Sequence, residues 1–329
     1  MRMRNQRIIW WIAILLVAGA LYIISYFVWF TSAHEEEGTI MIILKSNSPQ
    51  SDFWQTVRSG AEEAAKEKGV QFLVSGPLDD TDINSQLNAL QDALTLKPRA
   101  VVIAPLNDQR VLNGITRLQN AHIPVVVMDT PLPVNNAPSS VSSDHVQMGM
   151  QAGRMAAYQT NSAPYVAIIG DYQSSSIFKA REQGIKQVLG AVANSHTTTY
   201  YSGESEQLAY VLTTKLLDEY PRPNALIVMN EPIAVGAARA LKERHMDSMM
   251  FIAFDSSFYE IELLEEKTLD ALIVQKPFNM GYLAVQKVLT DSNSLSSQHS
   301  ITMIPSTVIT PTTMYTPENQ KLLFPFYEK

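Results

Sequence analysis

Residues 101–115 read VVIAPLNDQRVLNGI, and residues 226–241 read LIVMNEPIAVGAARAL. Each stretch begins with an apolar run, passes through a short polar turn and ends in a segment with the periodicity of an amphipathic helix. A second pair repeats the likeness, because IPVVVMDT at 123–130 and MFIAFDSS at 250–257 are both apolar runs that reach an aspartate. A pattern that occurs only twice indicates two similar lobes and not a solenoid of many repeats.

The rest of the chain extends this alternation of apolar strands and amphipathic helices. Strands are predicted at 39–44, 70–75, 99–104, 123–129, 164–169, 197–201, 224–229, 249–254 and 270–275. Helices are predicted between them, near 52–68, 82–95, 107–121, 145–159, 176–191, 205–219, 233–245 and 278–290. The strands are nearly continuous in Val, Ile, Leu and Ala, as strands covered on both faces are. The sequence therefore predicts an α/β fold of two Rossmann-like lobes with parallel sheets and right-handed crossovers.

Composition excludes several classes of protein. The chain has 329 residues with a net charge of −7, so it lacks the excess of basic residues that a duplex-coating nucleic-acid binder needs. Hydrophobic residues make up 46%, which is enough for a large core and argues against global disorder. There is no cysteine, which removes disulfide scaffolds, cysteine-ligated zinc, thiol catalysis and a lipid-modified cysteine anchor.

An uncharged segment near the N-terminus predicts a membrane anchor. Residues 8–30 read IIWWIAILLVAGALYIISYFVWF, which is 23 residues without a charged side chain. At about 1.5 Å per residue, a helix of this length crosses a hydrocarbon core of roughly 30 Å. The alternative is a cleaved signal peptide, whose apolar region has only about 7–15 residues. We therefore predict a transmembrane helix at 8–30.

Flanking charges give this predicted helix a direction. Arginines stand at positions 2, 4 and 7, and glutamates occupy 35–37. The positive-inside rule places the N-terminus in the cytoplasm and the remaining domain outside. The expected arrangement is a cytoplasmic tail at 1–7, the membrane helix, a tether at 31–38 and a large external domain held at the cell membrane by a single pass.

Polar side chains follow the predicted strands, at the edge where open parallel sheets bind ligands. They are Lys45, Asn47, Ser48, Asn107, Asp108, Asp129 and Thr130 in the first lobe, and Asp171, Asn230, Glu231, Asp255 and Gln275 in the second. Arg181 and the aromatic pair Phe53 and Trp54 lie on adjoining predicted helices. Charge-assisted hydrogen bonds bind hydroxyl groups, and an aromatic face packs on the apolar face of a sugar ring. The set therefore indicates a neutral polyhydroxylated ligand.

Each of these residues has a purely structural alternative. Asp129 and Asp255 could cap the turns that follow them, and Asn230 could be a turn residue. Arg181 could be a surface charge on its helix, and the aromatic pair at 53–54 could belong to the core of an amphipathic helix. The combination of charged, amide and aromatic residues at the ends of successive strands favours a ligand site over these separate explanations.

Seven short motifs resemble one known family in order and spacing. They are FW at 53–54, PVVVMD at 124–129, SSD at 142–144, KAREQG at 179–184, MNEPIAVGAARAL at 229–241, IAFD at 252–255 and IVQKP at 273–277. Over about 39–310 the chain resembles the ribose- and galactose-type periplasmic sugar-binding proteins, whose type I fold is shared by the ligand lobe of lactose-repressor-like regulators. The resemblance implies that the aromatics stack on a sugar and that five residues bind its hydroxyls: Asp129, Arg181, Asn230, Asp255 and Gln275.

The same resemblance marks a second group of candidates and two departures. Lys45, Asn47 and Ser51 lie on the first loop and are candidate ligand contacts by position. Thr130 stands where the ribose-type pattern often has arginine, which removes a fork-shaped donor. Glu204 stands near the place of a usual aromatic, so we expect a pocket that is wider or more polar on that side.

Family topology implies discontinuous lobes and a hinge. Lobe one is expected to contain 38–143 plus 276–305, and lobe two 144–275 plus 306–329. The three chain crossings between the lobes would let the cleft open and close on its ligand.

Three functions remain open for this architecture, and none requires a cofactor or metal. The first is a membrane-anchored sugar sensor that signals to a histidine kinase. The second is the substrate-binding component of a sugar ABC importer, which would dock on a permease. The third is an enzyme acting on sugars, with Asp129 and Asp255 as an acid–base pair. The sequence has no GxxxxGK[ST], GxGxxG, HExxH or GxSxG motif. We therefore expect a receptor that is not an enzyme.

Overall fold

The computed structural model describes residues 19, 38–130, 132, 137–159, 163–173, 175–219, 222–292 and 300–325. The predicted cytoplasmic tail at 1–7 lies outside the described residues. So do the predicted membrane helix at 8–30, apart from Gly19, and the tether up to residue 37. In the ranges that the structure does describe, none of the helices combines the length and the apolar character needed to cross a bilayer.

Lobe one is built around a six-stranded sheet. Its strands are β1 (Ile40–Ile43), β2 (Phe72–Ser75), β3 (Ala100–Ile103), β4 (Val125–Met128), β5 (Ser139–Ser143) and β11 (Ile301–Ile304). Its helices are α1 (Asp52–Glu67), α2 (Ile83–Leu96), α3 (Gln109–Asn120) and α9 (Pro277–Ser292). The strand order is β11-β5-β4-β3-β1-β2, and every neighbouring pair is parallel.

Lobe two repeats this plan with a second six-stranded sheet. Its strands are β6 (Tyr165–Gly170), β7 (His196–Tyr201), β8 (Ala225–Val228), β9 (Met250–Phe254), β10 (Ala271–Val274) and β12 (Thr307–Ile309). Its helices are α4 (His145–Gln159), α5 (Ser176–Leu189), α6 (Glu206–Asp218), α7 (Glu231–Glu243), α8 (Phe258–Glu265) and α10 (Pro317–Leu323). The order is β12-β10-β9-β8-β6-β7.

The two-lobe α/β architecture predicted from the sequence is confirmed, with one correction. Edge strand β12 runs antiparallel to β10, with Ile273 opposite Val308, so the second sheet is not wholly parallel. Here β12 follows β11 of the other lobe after only two residues, and it enters the second sheet from the opposite direction.

Both sheets are buried because helices cover both faces. Strands β1, β3 and β4 are buried along their whole length, as are β8, β9 and β10 in the other lobe. Apolar clusters lie on the two faces of each sheet: Val57 and Val102 mark one side of the first sheet, and Ile103 and Ile115 mark the other. This arrangement explains why the strands are continuously apolar in sequence.

Five elements escaped the strand and helix predictions: β5, β11, β12, α8 and α10. Strand β12 has three residues and α10 has seven, which is too short for a clear periodic pattern. Strand β5 reads SSVSS, and its four serines carry no apolar signal although all five residues are buried. Helix α8 is only eight residues long and therefore gives little periodicity. Strand β11 reads ITMI at the sheet edge and only its last residue is buried, so it lacks the long apolar run that marks the buried strands.

The chain passes between the lobes at three places close together. It leaves the first sheet after β5, returns to lobe one between β10 and α9, and crosses again between β11 and β12. A hydrogen bond joins two of these crossings, because Ser143 donates to Gln275 Oε1 at 2.8 Å. The lobes are thus joined by short segments beneath the cleft, a layout that suits hinge closure.

Candidate functional site

A cleft of about 960 Å³ separates the two lobes at the carboxyl ends of their strands. Ten of the twelve residues that the family resemblance marks line it: Lys45, Ser51, Phe53, Trp54, Asp129, Arg181, Glu204, Asn230, Asp255 and Gln275. Asn107 and Asp108, which also follow a predicted strand, do not. A second concavity of about 320 Å³ lies between α2 and α3 and contains none of them. Convergent charged, amide and aromatic side chains make the interlobe cleft the candidate binding site.

Two aspartates occupy equivalent places in the two lobes. Asp129 follows β4 and Asp255 follows β9, and their φ angles are 67° and 82°. Positive φ is uncommon for residues other than glycine, and such strain concentrates at functional sites. The similar sequences at 123–130 and 250–257 therefore each end a strand in an aspartate with positive φ, one on each side of the cleft.

On the lobe-one side, Lys45 and Asp129 form a buried ion pair. Lys45 Nζ lies 2.5 Å from Asp129 Oδ2 and 2.6 Å from the hydroxyl of Thr130. Ser142 donates to the backbone carbonyl of Asp129 at 2.6 Å. Burial would raise the pKa of the Asp129 carboxyl, but Lys45 and His145 hold it below its usual value. Asp129 is therefore an ionised acceptor, and Lys45 supplies the cation that position 130 lacks.

On the lobe-two side, Arg181 is a buried cation. It lies in the middle of α5 and is 3% exposed, so the alternative of a surface helix charge is wrong. Its Nη1 donates to the carbonyl of Met229 at 2.8 Å, its Nη2 lies 3.4 Å from Asp255 Oδ1, and its Cζ lies 4.4 Å above the Phe254 ring. These contacts hold the guanidinium plane at the cleft wall next to Asp255.

Both the oxygen and the nitrogen of the Gln275 side-chain amide have a protein partner. Its Oε1 accepts from Ser143 at 2.8 Å, and its Nε2 donates to Asp255 Oδ1 at 2.8 Å. The side chain therefore orients Asp255 and joins two of the interlobe crossings. This geometry gives Gln275 a positioning role beside whatever contact its second amide hydrogen makes in the cleft.

The two aromatics open α1 and differ in their surroundings. Their rings lie 5.0 Å apart in an edge-to-face arrangement, and both line the cleft. Trp54 is largely buried in the apolar cluster of lobe one, whereas Phe53 is half-buried beside it. Trp54 is therefore in part a core residue of its amphipathic helix, and Phe53 has the more accessible ring.

Asn230 caps a helix as well as lining the cleft. Its Oδ1 accepts the backbone N–H of Ile233 as the N-cap of α7, which leaves the amide group as a donor. Ser51 precedes α1 in the N-cap position, but its side chain makes no capping hydrogen bond. Both side chains thus keep donor capacity at the mouth of the site.

Two candidates lie outside the cleft lining. Asn47 is held by its backbone N–H, which donates to the Pro77 carbonyl at 2.6 Å. The hydroxyl of Thr130 accepts from Lys45 and donates to Asp129 at 3.1 Å, so it stabilises the ion pair between them. The sequence could not distinguish residues in the wall from residues one layer behind it.

Sequence reasoning also missed part of the site. The sequence indicates Asp171 and Glu231 only as polar residues that follow strands, and it does not indicate Asp52, Asp80 or Glu260. All five line the cleft. Burial is the first cause that raises the pKa of both Asp171 and Glu231. A signal for Glu260 existed, because SFYE at 257–260 has the spacing of a capping box, and that capping box is present in α8.

His145 is a further buried group near the site. Burial, and then the positive charge of Arg181, lower the pKa of His145 to about 3, so the ring is neutral at physiological pH. Across the described residues, no three histidine or carboxylate side chains are arranged to hold a metal ion.

Glu260 predicts a pH dependence of folding stability. The residue is fully buried, and burial followed by the charge of Asp255 raises its pKa well above the usual value. A raised carboxyl pKa means that the folded chain loses stability as pH rises through that pKa, whereas a glutamine there does not titrate. We therefore expect the difference in melting temperature, Glu260→Gln minus the unaltered chain, to increase from pH 5 to pH 9. Each kcal/mol of stability that the unaltered chain loses corresponds to about 2–4 °C.

Thermal unfolding at several pH values measures this difference. The matched control is Glu262→Gln, an exposed glutamate on the same helix. A gap between the Glu260→Gln variant and the unaltered chain that stays constant from pH 5 to pH 9 would contradict the expectation.

Known proteins resemble this chain in sequence and in fold. Residues 40–290 match the family described as periplasmic binding protein domain. The chain is 23% identical over 244 residues to the ribose import binding protein RbsB of Haemophilus influenzae, which covers 74% of this chain and 82% of that protein.

Solved structures show the same fold. GanP, a glucose-galactose binding protein from Geobacillus stearothermophilus, superimposes with a TM-score of 0.77 and 25% identity, over 85% of this chain and 100% of that one. A carbohydrate transporter solute binding protein from Agrobacterium radiobacter, in complex with D-arabinose, gives 0.75 and 23% over 87% and 99%. The chain belongs to the periplasmic binding protein domain family, and its expected resemblance to the sugar-binding members is confirmed.

Proposed function

We propose that the cleft binds a monosaccharide-like ligand and that the protein is a receptor for it. The observation that carries the proposal is the pairing of two hydrogen-bonding centres on opposite walls. Lys45 with Asp129 faces the cleft from lobe one, and Arg181 with Asp255 faces it from lobe two. Charge-assisted donors and acceptors of this kind bind hydroxyl groups strongly. Phe53 and Trp54 supply an apolar wall for a ring face.

Ligand binding would favour a closed arrangement of the lobes. Asp129 and the aromatic pair belong to lobe one, whereas Arg181, Asn230 and Asp255 belong to lobe two. Only a closed cleft lets one small molecule contact both sets, so the ligand shifts the population towards the closed form. The close-set crossings at Ser143 and Gln275 allow this motion with few backbone changes.

Calorimetric titration against a panel of pentoses, hexoses and inositols tests the proposal. We expect saturable binding of at least one sugar with a stoichiometry of one. The absence of binding across the panel by a folded protein would contradict it. Chemical analysis of the sugar after long incubation tests the enzyme alternative, and we expect the sugar to be recovered unchanged.

We propose further that the segment at 8–30 anchors the protein in the cell membrane with its two lobes outside. The support is the uncharged stretch of 23 residues with basic residues before it and acidic residues after it. Fractionation of cells should leave the full chain in the membrane pellet after salt and alkaline washes. Recovery of a shorter form that begins near His34 in the soluble fraction would contradict the anchor.

Two partners fit a receptor of this kind, and a different observation favours each. A fixed membrane helix suits a sensor subunit that passes its state to a histidine kinase. Relatives such as the ribose import binding protein favour the substrate-binding component of an ABC importer. Sugar uptake by cells that lack the protein separates the two. Loss of uptake indicates the importer, whereas intact uptake with a lost transcriptional response to sugar indicates the sensor.

A further inference from the structure

The cleft carries far more negative than positive charge. Eight carboxylates and two cationic side chains line it. Both cations already have a carboxylate partner, since Lys45 pairs with Asp129 and Arg181 pairs with Asp255. No ion pair to a lysine or arginine within 4 Å is formed, within the described part of the chain, by the other six: Asp52, Asp80, Asp171, Glu204, Glu231 and Glu260.

These unpaired carboxylates come from both lobes and act on each other across the cleft. After burial, the charges of Asp255 and Asp52 raise the pKa of Glu231, and Asp52 belongs to the opposite lobe. After burial, the charges of Asp80 and Asp171 raise the pKa of Glu204, and Asp80 again belongs to the opposite lobe. Closing the lobes brings like charges together, which costs free energy unless a cation enters between them.

Glu260 provides an independent sign of a missing partner in the cleft. The residue is fully buried at the cleft wall, and its Oε2 accepts the backbone N–H of Ser257 at 2.9 Å. Its Oε1 is buried and has no hydrogen-bond partner among the described residues. Buried acceptors are nearly always satisfied in folded proteins. Burial and the charge of Asp255 keep the proton on Glu260 when no cation lies beside it, and a cation that enters the cleft would favour the ionised form and leave Oε1 free to accept from it.

The donor chemistry that fits is an ammonium group. A metal ion is disfavoured, because the described residues contain no cluster of three suitable ligands. A neutral sugar supplies hydroxyl donors but cannot balance the excess charge. An amine carried on a sugar ring supplies three donors and one positive charge, while its remaining hydroxyls keep Asp129 and Arg181 as partners. We propose that the ligand of this cleft is an amino sugar or a related amino polyol, held by the unpaired carboxylates of lobe two and recognised in preference to its neutral parent.

This inference rests on the proposed sugar-binding function, and one titration series separates the two. The probes are D-glucose and D-galactose, their 2-amino and 6-amino derivatives, and the N-acetylated forms, which keep the nitrogen but lose the charge. We expect at least one amine to bind about tenfold or more tightly than its parent and its N-acetyl form, as a hydrogen bond to a charged group implies. Neutral sugars that bind as tightly as every amine would overturn the inference and leave the proposed function intact. Failure of every probe would overturn the inference, whereas the wider panel of pentoses, hexoses and inositols tests the proposed function.

Substitution of the carboxylates identifies the source of the preference. Glu231→Gln and Glu204→Gln each remove one unpaired charge with little change of shape. Each should lower the ratio of amine affinity to parent affinity at least threefold. Glu62→Gln removes the same charge from the exposed face of α1, outside the cleft, and should leave that ratio unchanged. An unchanged ratio in both cleft variants would overturn the assignment.

Discussion

Arg181→Met should lower the affinity for the cognate sugar by about 10- to 150-fold, the loss expected for a hydrogen bond to a charged group. Methionine keeps much of the length and apolar volume of the arginine stem, so the core beside Phe254 stays filled. What is lost is the donor at the cleft wall and the cation beside Asp255, which lies 3.4 Å away. Calorimetric titration measures the affinity directly.

The same substitution should also reduce the free energy of unfolding. Arg181 donates to the backbone carbonyl of Met229 at 2.8 Å, and a buried acceptor that loses its donor costs about 1–3 kcal/mol. Asp255 keeps its hydrogen bond from Gln275 and is one-third exposed, so it adds less than a fully buried charge would. Chemical denaturation therefore gives a second readout that does not depend on identifying the sugar.

Arg239 provides a matched control in the same lobe. It pairs with Glu243 at 3.0 Å and lies 4.3 Å above the Tyr210 ring, so it makes the same kinds of contact as Arg181. Both members of that pair are about half exposed, and an exposed ion pair contributes only about 0.2–1 kcal/mol. Arg239→Met should leave sugar affinity unchanged. Equal affinities in the two variants would place the binding site away from Arg181.

The sequence predicted the parts of the fold that depend on local pattern. Strands such as β3 and β9 are apolar runs, and they are apolar because both faces of each sheet are covered. Strand β5 was not predicted because its buried residues are mostly serines. Their hydroxyls can be buried because they find partners in other parts of the fold, as Ser142 does in the Asp129 carbonyl. A pattern of neighbouring residues contains no information about a partner in another strand.

The candidate site was predictable to a similar depth. Residues at strand ends could be listed because parallel strands end at one edge, and most of those in the expected site do line the cleft. The sequence could not show which of these side chains hold other side chains of the site in place. Two contacts follow only from distances between residues that lie far apart in the chain. They are the ion pair of Lys45 with Asp129 and the hydrogen bond from Gln275 to Asp255.

Charge balance in the cleft was the least predictable feature. Asp52 and Asp80 come from loops and helix starts of lobe one, and they meet Glu231 and Glu204 only because the lobes face each other. The overall charge of −7 is spread over 329 residues and gives no hint that the cleft is the acidic region. The residues at the strand ends therefore indicated a neutral polyhydroxylated ligand, whereas the structure is needed to propose a charged one.

Gly149→Ala should destabilise lobe two by about 1–3 kcal/mol or more, the usual cost of overpacking a close contact. Helices α4 and α5 approach so closely that a Cβ on Gly149 would overlap the backbone carbonyl of Arg181. Alanine would otherwise favour the helix by about 1 kcal/mol, so a net loss of stability must come from the clash. Thermal or chemical unfolding reports it.

Gly153→Ala is the graded control on the same helix. Its Cβ would lie 3.1 Å from the Ile185 carbonyl, a tight contact that a small shift relieves, so the variant should be close to the unaltered chain in stability. Relief of the clash at Gly149 requires α4 and the turn of α5 that carries Arg181 to move apart. We therefore expect Gly149→Ala to weaken sugar binding as well as folding, although Gly149 is absent from the cleft lining. Normal affinity in a destabilised Gly149→Ala variant would show that the position of Arg181 is not set by this helix crossing.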